Sequence, residues 1–170
     1  MKNKNKKKIH LIGICGKGMS GLAFLLKQAG FQVSGSDSGF YDPVYGMLKK
    51  NKIKFYPKYS AKNISKDTDL IVIGKHAELT PEHNPEVAAA FKSGIKVQSL
   101  PEALGEIAEN SHNTVVAGSF GKSTVTALLA WCLEKRRKDP SYFIGATPLN
   151  FVTNAKLGKN YEKKNHQFIL

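Results

Sequence analysis

The sequence predicts an α/β fold, because apolar segments of strand length alternate along the chain with segments of helical periodicity. The unbroken apolar character of several of these strand segments is typical of parallel strands buried on both faces. Strands are predicted at residues 9–14, 31–35, 69–74, 95–98, 115–117 and 167–170, and helices at 19–29, 85–93, 104–108 and 122–134. This alternation predicts a parallel sheet covered by helices on both sides.

The helical segments carry recognisable end signals. Gly30 follows the first of them as a C-cap glycine. Asn84 is a preferred N-cap residue, and Pro85 after it fits the first helical position, where no backbone donor is needed. Gly94 then stops that helix. These signals support the assignment of the segments as helices.

Composition bounds the size and the partners of the protein. A chain of 170 residues can hold one buried core and part of a second, and 41% hydrophobic residues is ordinary for a soluble globular protein. The net charge is +13, but five of the lysines lie in the first eight residues, which we expect to form a solvated, disordered basic arm. The other positive charges lack interleaved aromatic residues, so we predict no nucleic-acid partner.

The two cysteines and the apolar runs indicate the compartment. Cys15 and Cys132 are too few to suggest a metal site or a disulfide framework. Cys15 is either a reactive thiol at a helix N-terminus or a small buried spacer, and we favour the spacer. The apolar run at residues 9–14 is too short for a signal peptide, and no run approaches the roughly 20 apolar residues of a membrane span. We therefore predict a cytoplasmic protein without a membrane partner.

A glycine-rich turn follows the first predicted strand. Gly16, Gly18 and Gly21 form a Gly-x-Gly-x-x-Gly pattern between a strand and a helix. In a dinucleotide-type turn the first glycine permits the tight turn, the second admits a pyrophosphate, and the third lets the helix pack on the sheet. Asp37, 21 residues after Gly16, is placed to accept hydrogen bonds from a ribose. The pattern predicts a nucleotide-diphosphate site and leaves the nucleotide open.

A second phosphate-binding pattern lies at residues 118–123, Gly-Ser-Phe-Gly-Lys-Ser, between the apolar segment 115–117 and a predicted helix. Gly118 and Gly121 allow a tight turn whose N–H groups face a polyphosphate, Lys122 neutralises its outer oxygens, and Ser123 offers a hydroxyl ligand for Mg²⁺. The spacing is shorter than in the general pattern, because Val116 stands where the first glycine is expected.

Two further features have both a functional and a structural interpretation. His76 follows the predicted strand 69–74 at the edge where open α/β sheets bind ligands, and it is either a substrate contact or a plain loop residue. The apolar residues of the helix 122–134 are interpreted as core-facing; they are Leu128, Leu129, Trp131, Cys132 and Leu133.

A polar run at residues 110–113 separates the two patterns and is predicted to be a linker. We therefore place a Rossmann-like nucleotide-binding domain at residues 9–110 and the N-terminal part of a P-loop α/β ATPase domain at residues 111–170. About 60 residues are few for a complete P-loop domain, so we expect the chain to be an N-terminal fragment of a longer enzyme.

Together these motifs resemble the Mur ligase family, the ATP-dependent amide-forming enzymes of peptidoglycan synthesis. The resemblance extends over residues 9–170 and is carried by the segments at 13–21, 34–37, 84–86, 118–124 and 154–158. Within the family, the Gly-Met-Ser-Gly and Ser-Gly-Ser-Asp segments are similar to the branch that acts on UDP-N-acetylmuramate, which includes the L-alanine-adding ligase and the murein peptide ligase. The segment at 143–151 is more similar to the latter, a recycling enzyme.

The resemblance implies a division of labour between the two domains. The first would hold the UDP-sugar, and the second would bind ATP and Mg²⁺, so that the muramoyl carboxylate is activated as an acyl phosphate and joined to an amino acid or peptide amine. The residues carried over to the UDP-sugar side, with His76 added, are Gly16, Lys17, Gly18, Met19, Ser20, Asp37 and His76. Those on the ATP side are Gly118, Ser119, Phe120, Gly121, Lys122, Ser123 and Thr124, with Lys122 and Ser123 in the catalytic role and Ser123 on the metal.

The chain departs from the family pattern inside the phosphate loop. Ser119 stands where relatives usually have Thr, and Phe120 stands where they have a polar residue, which removes any polar contact from that position. The acidic metal ligands, the modified lysine and the amine-binding domain of the family would lie beyond Leu170. The fragment alone is therefore expected to bind ligands without turnover.

Other classes explain only part of the pattern. A nicotinamide-dependent oxidoreductase would account for the glycine turn and Asp37 but leaves the Gly-Lys-Ser loop without a role. A P-loop kinase or ATPase would account for that loop and not for the first motif. A non-catalytic nucleotide-binding module is the remaining alternative.

Overall fold

The computed structural model describes residues 6–170, which divide into two compact units with the boundary between Ala103 and Leu104. Residues 1–5, most of the predicted basic arm, lie outside the described part of the chain. The end of the predicted arm belongs to the fold, since the first strand begins at Lys8, whose ammonium pairs with Asp67.

The first unit is a parallel α/β sheet, as predicted. Its elements are β1 (Lys8–Ile12), α1 (Lys17–Gln28), β2 (Gln32–Ser36), α2 (Val44–Lys50), β3 (Lys54–Tyr56), a 3₁₀ turn (Ala61–Asn63), β4 (Leu70–Ile73), α3 (Pro85–Lys92), β5 (Lys96–Ser99) and the start of α4 (Leu100–Ala108). The five strands lie in the order β3-β2-β1-β4-β5, and every neighbouring pair is parallel. From β1 the chain adds β2 and β3 on one side and then β4 and β5 on the other, so the strand order reverses between β1 and β4. Open α/β sheets bind ligands at such a switch point.

The core of this unit forms where the strands and helices bury continuous apolar runs. Leu11 and Ile12 of β1 and Ile71 and Val72 of β4 are fully buried. Helix α1 buries every residue from Met19 to Leu26, which holds the start of the helix firmly against the sheet. The C-terminal ends of β1 and β4 are therefore fixed in place, and the loops that follow them begin from a rigid edge.

The predicted start of α3 is confirmed by a side-chain cap. The Asn84 side chain accepts hydrogen bonds from the N–H groups of Glu86 and Val87, and Pro85 opens α3. Helix α4 has a cap that the sequence pattern does not predict, in which Glu102 accepts hydrogen bonds from both the N–H and the hydroxyl of Ser99.

The segment between β2 and β4 holds elements that the sequence pattern does not predict. Helix α2 and strand β3 are short, and lysines interrupt their apolar pattern. They are held together by an aromatic cluster, in which Phe40 and Phe55 have ring centroids 4.7 Å apart and Tyr45 packs edge-on against Phe55 at 5.5 Å. Aromatic packing thus stabilises an edge that periodicity alone does not reveal.

The second unit contains the end of α4, β6 (His112–Thr114), α5 (Lys122–Lys135), β7 (Ser141–Phe143), β8 (Ala155–Lys156) and β9 (Gln167–Ile169). Its sheet has the order β6-β9-β7-β8, with β9 parallel to both neighbours and β8 antiparallel to β7. Two expectations are corrected here. The strand before the phosphate loop is His112–Thr114 and not 115–117, and it starts inside the segment 110–113 that is predicted to be a linker.

The shifted strand has a physical reason. Val116 still donates its N–H to the carbonyl of Leu170, so the pairing continues past the strand, but Val115 is largely exposed. The polar strand β6 lies at the edge of the sheet, where side chains can face water. An apolar run is therefore a poor guide to an exposed edge strand.

Helix α5 packs one side on this sheet. Ala130 joins Tyr142, Ile144 and Ile169 in a buried cluster, with Ala127, Leu133 and Phe151 against it. The expectation that all the apolar residues of this helix face a core is wrong for three of them, because Leu128, Leu129 and Cys132 are exposed. They lie on the side of the helix that the second unit does not cover.

Two polar clusters fasten the ends of the second sheet. The Ser141 hydroxyl lies 2.8 Å from Nε2 of the buried His166 and accepts a hydrogen bond from the N–H of Gly158. Lys156 bridges the carboxylates of Glu134 and Asp139 at 2.5 and 2.7 Å.

Among residues 6–170, no helix has the length and apolar character needed to cross a membrane.

Candidate functional site

A cavity of about 680 Å³ opens at the C-terminal edge of the first sheet. It is lined by the turn after β1 with the start of α1, by the loops after β2, β3 and β4, and by the start of α4. These segments surround the point where strand order reverses, so the fold itself creates the crevice. Its volume is within the usual range of small-molecule sites.

The glycine turn after β1 is built differently from the sequence interpretation. The residue with positive φ is Gly13, at +84°, whereas Gly16 has φ −57° and is the N-cap of α1. The N–H groups of Gly13 and Ile14 both donate to the carbonyl of Ser36, at 2.9 and 3.0 Å. The tight turn assigned to Gly16 is therefore made by Gly13, and Gly16 opens the helix.

Two further glycines keep this region closely packed. A Cβ on Gly35 would lie 2.6 Å from the carbonyl oxygen of Leu11 and equally close to the end of the Ile14 side chain. A Cβ on Gly74 would lie 3.2 Å from the carbonyl oxygen of Ile12. Close approach of β2 and of the end of β4 to β1 thus depends on residues without side chains.

Asp37 clamps the turn from the end of β2. One carboxylate oxygen accepts the N–H of Cys15 at 2.8 Å, and the other accepts the N–H of Ser38 at 2.8 Å and the hydroxyl of Tyr59 at 3.3 Å. The sequence interpretation assigns Asp37 a ribose-binding role. Its contacts within the protein add a second task, which is to hold the glycine turn against the loop after β2.

Six of the seven residues assigned to the UDP-sugar side line the cavity, namely Gly16, Lys17, Gly18, Met19, Asp37 and His76. The seventh, Ser20, is buried in α1, and its hydroxyl donates to the carbonyl of Lys17. Ser20 is thus placed away from the cavity lining. Lys75 beside His76 also lines the cavity and is missed by sequence reasoning, because a single exposed lysine has no signal in a sequence.

Burial controls two titratable groups in the cavity wall. Burial, and then the nearby Asp37 charge, raise the pKa of the Cys15 thiol to about 12. The same two causes raise the pKa of the Tyr59 hydroxyl to about 12. Both groups stay protonated at neutral pH, which agrees with the interpretation of Cys15 as a spacer and not a nucleophile.

The segment predicted to be a phosphate loop lies between β6 and α5 in the second unit. Gly118 has φ +151° and Gly121 has φ +73°, so both positions favour glycine. Helix α5 begins directly after Gly121, without a side-chain cap for its first N–H groups. The ammonium of Lys122 lies 2.7 Å from the carbonyl oxygen of Gly118 and 3.3 Å from that of Ser119, which places it over the loop.

The remaining loop residues differ in their surroundings. The Ser123 hydroxyl lies against Gly145, where a Cβ would be 3.0 Å from it. Gly145 is not singled out in the sequence analysis, although it lies in the segment 143–151 that is compared there with the family. Phe120 is 94% exposed, so its ring projects from the loop and offers no polar contact.

The chain belongs to the Mur ligase family. The family model described as "Mur ligase family, catalytic domain" matches residues 8–112, which is most of the chain. The predicted family membership is therefore confirmed, and so is the α/β fold with a Rossmann-like first domain.

Curated relatives come from both ligase types that the sequence suggested. The chain is 35% identical over 154 residues to UDP-N-acetylmuramate–L-alanyl-γ-D-glutamyl-meso-2,6-diaminoheptandioate ligase of Escherichia coli, covering 90% of this chain and 33% of that protein. It is 39% identical over 153 residues to UDP-N-acetylmuramate–L-alanine ligase of Pelagibacter ubique, covering 89% and 32%. The chain thus spans about a third of the length of these relatives.

Solved structures agree with this relationship. The UDP-N-acetylmuramate:L-alanyl-γ-D-glutamyl-meso-diaminopimelate ligase from Neisseria meningitides superimposes with a TM-score of 0.82 at 33% identity, over 96% of this chain and 51% of that one. The UDP-N-acetylmuramate–alanine ligase from Thermotoga maritima gives 0.81 at 26% identity, over 95% and 36%.

Proposed function

We propose that this chain is the nucleotide-binding part of a ligase that joins the carboxylate of UDP-N-acetylmuramate to an amino acid or peptide amine at the expense of ATP. Membership of the Mur ligase family supports the reaction class, and relatives of both types act on UDP-N-acetylmuramate by name. The observation that carries the proposal is the pairing of a switch-point cavity in one unit with a phosphate loop in the other.

The cavity of the first unit suits a sugar nucleotide. Backbone N–H groups at the start of α1, where Gly16 provides no side-chain cap, face an anion favourably. Lys17 and Lys75 add positive charge to the lining, and His76 lies beside them. In this proposal the diphosphate lies over the glycine turn and the ribose lies toward Asp37.

The phosphate loop of the second unit suits ATP with Mg²⁺. When bound, ATP would supply the phosphoryl group that activates the muramoyl carboxylate as an acyl phosphate for attack by the amine. Lys122 would stabilise negative charge on that phosphoryl group, and the Ser123 hydroxyl would ligate the metal. The loop residues fit this task, because Gly118 and Gly121 supply the required backbone and Gly145 leaves room beside Ser123.

Binding by the purified chain tests the first half of the proposal. Calorimetric titration with UDP-N-acetylmuramate and, in parallel, with NADH distinguishes a ligase domain from a nicotinamide-dependent oxidoreductase. We expect saturable heat with the UDP-sugar alone. Heat with NADH alone would contradict the assignment and make the phosphate loop a coincidence.

A matched pair of lysine variants shows that the heat comes from the cavity. Lys75 lines it, whereas Lys62 is exposed in the 3₁₀ turn and does not. Lys75→Ala should weaken UDP-sugar binding by a few fold, and Lys62→Ala should leave it unchanged. Equal effects of the two variants would indicate non-specific attraction to a basic protein.

A further inference from the structure

Tyr41 is an exposed aromatic residue at the edge of the cavity. It contributes to the cavity lining, yet 78% of its surface is exposed. A single exposed aromatic residue is ordinary, but one that also borders a cavity offers an open ring face on which a planar ligand can stack. Tyr41 lies outside the segments singled out in the sequence analysis.

A missing side chain at Gly39 makes room for this ring. A Cβ on Gly39 would lie 2.6 Å from Cε2 of Tyr41 and 3.3 Å from its hydroxyl oxygen. The ring therefore rests against the backbone of the loop after β2, and any larger residue at position 39 would displace it. This contact gives an exposed side chain a defined position before a ligand arrives.

The residues on both sides of Tyr41 are anchored. Phe40 packs into the aromatic cluster with Phe55 and Tyr45. On the other side, the Asp42 side chain accepts the N–H of Gly46 at 3.0 Å, next to the start of α2. The loop thus holds Tyr41 from both neighbours, which reduces the entropy lost when a ligand packs on it.

Tyr59, the other tyrosine in the lining, is less suited to the same task. Its hydroxyl bonds to Asp37, and its ring packs on the core cluster around Ile71 and Val87. Its surface is therefore used within the protein. Among residues 6–170, the aromatic ring contacts do not include Tyr41.

We propose that Tyr41 is the stacking platform for the base of the nucleoside diphosphate in this cavity. In a strand-turn-helix nucleotide site the diphosphate lies on the glycine turn and the ribose near the residue after the second strand, so the base lies beyond it. Here the residue after β2 is Asp37, and the chain beyond it leads through Ser38 and Gly39 to Tyr41. The inference rests on the proposed UDP-sugar site and adds a base-binding residue to it.

Calorimetric titration with UDP tests the inference on four proteins: the unchanged chain, Tyr41→Ala, Tyr41→Phe and Phe91→Ala. Phe91 is an exposed aromatic residue of α3 that lies outside the cavity lining, so it controls for loss of surface aromatic area. Removal of a stacked aromatic residue weakens nucleotide binding roughly tenfold to a hundredfold. We expect that loss for Tyr41→Ala, near-normal affinity for Tyr41→Phe and no change for Phe91→Ala.

Gly39→Ala provides a second route to the same result, because its Cβ would push the ring aside. It should weaken UDP binding, and the double variant with Tyr41→Ala should be no weaker than Tyr41→Ala alone. A spectroscopic signature comes from Tyr41→Trp combined with Trp131→Phe. UDP should quench the fluorescence of the new indole, and methylenediphosphonate, which has no base, should not.

The titrations distinguish failure of the stacking role of Tyr41 from failure of the proposed UDP-sugar site. If the unchanged chain binds UDP and Tyr41→Ala binds it equally well, the stacking role is wrong and the UDP site stands. If the unchanged chain binds neither UDP nor UDP-N-acetylmuramate, the proposed function is wrong and the role of Tyr41 falls with it.

Discussion

Nε2 of His10 lies 2.6 Å from Oε1 of Glu86, and the two side chains are 1% and 0% exposed. The same carboxylate accepts the Ser36 hydroxyl at 2.9 Å, and its other oxygen accepts the N–H of Ser60 and the side-chain amide of Asn63, both at 2.8 Å. Glu86 therefore ties β1, β2 and the 3₁₀ turn to the start of α3. Ser36 precedes Asp37, and its carbonyl accepts two N–H groups of the glycine turn. The buried network therefore helps to fix the glycine turn and Asp37, which line the cavity.

Removal of the Glu86 carboxylate should destabilise the first unit strongly. Glu86→Ala leaves four donors without their acceptor, and loss of one partner from a buried polar pair costs about 3–5 kcal/mol. Urea denaturation followed by circular dichroism measures the change. Glu109→Ala, at an exposed carboxylate, is the control and should alter the free energy of unfolding by less than about 0.5 kcal/mol. Similar stability of the two variants would show that the network is dispensable.

A pair of glycine substitutions tests the close approach of β2 to β1. Gly35→Ala would set a Cβ 2.6 Å from a backbone oxygen of Leu11, and overpacking of this kind costs about 1–3 kcal/mol. A Cβ on Gly105, in α4, would have no neighbour within 4 Å, so Gly105→Ala should stabilise the protein by about 0.5–1 kcal/mol. Thermal denaturation of both variants distinguishes opposite signs, and a stable Gly35→Ala protein would contradict the packing.

The two cysteines should differ in reactivity. Burial and the Asp37 charge raise the pKa of Cys15 to about 12, so its thiol stays protonated at pH 8, whereas Cys132 is exposed on α5. Iodoacetamide at pH 8 followed by peptide mass spectrometry should label Cys132 well before Cys15. Equal labelling rates in the folded chain would show that the turn around Cys15 opens readily.

The second unit should lose stability on acidification through His166. Burial lowers the pKa of His166 below its ordinary 6.5, with Asp139 opposing and Lys156 adding to the shift. The folded state therefore favours the neutral imidazole, which accepts from Ser141. This stability is complete above 6.5 and is lost as the pH falls from 6.5 through the lower pKa of the folded state.

His166→Gln keeps an acceptor and removes the titration, so its stability should depend less on pH between 7 and 5. His112→Gln, at an exposed histidine of the neighbouring strand β6, should keep the pH dependence of the unchanged chain. Denaturant melts at several pH values measure both, and an equal pH dependence in His166→Gln and the unchanged chain would rule out His166 as the titrating group.

The sequence is a good guide where one residue type has one structural use. Asn84 and Pro85 predict the start of α3, and Gly30 marks the end of α1, because caps and helix stops depend on local chemistry. Most of the residues assigned to the first cavity also reach it, since a glycine turn after a buried strand has few alternative geometries.

The sequence is a poor guide where tertiary contacts decide. Gly13 makes the tight turn assigned to Gly16 three residues later, because the N–H groups of Gly13 and Ile14 both donate to the carbonyl of Ser36 on the neighbouring strand. Strand β3 and helix α2 depend on contacts among Phe40, Tyr45 and Phe55, which no local periodicity reveals. Glu86 belongs to a segment that resembles the family, but nothing local shows that it is the centre of a buried network.

Lys122→Ala tests most directly whether the chain carries two separate nucleotide sites. Lys122 contacts the carbonyl of Gly118 in the second unit, and the cavity proposed to bind the UDP-sugar belongs to the first. Calorimetry with MgATP and with UDP-N-acetylmuramate should show loss of MgATP binding and unchanged UDP-sugar binding in this variant. Lys135→Ala, at the other end of α5, is the control and should bind both as the unchanged chain does. Parallel loss of both ligands in Lys122→Ala would contradict the two-site account.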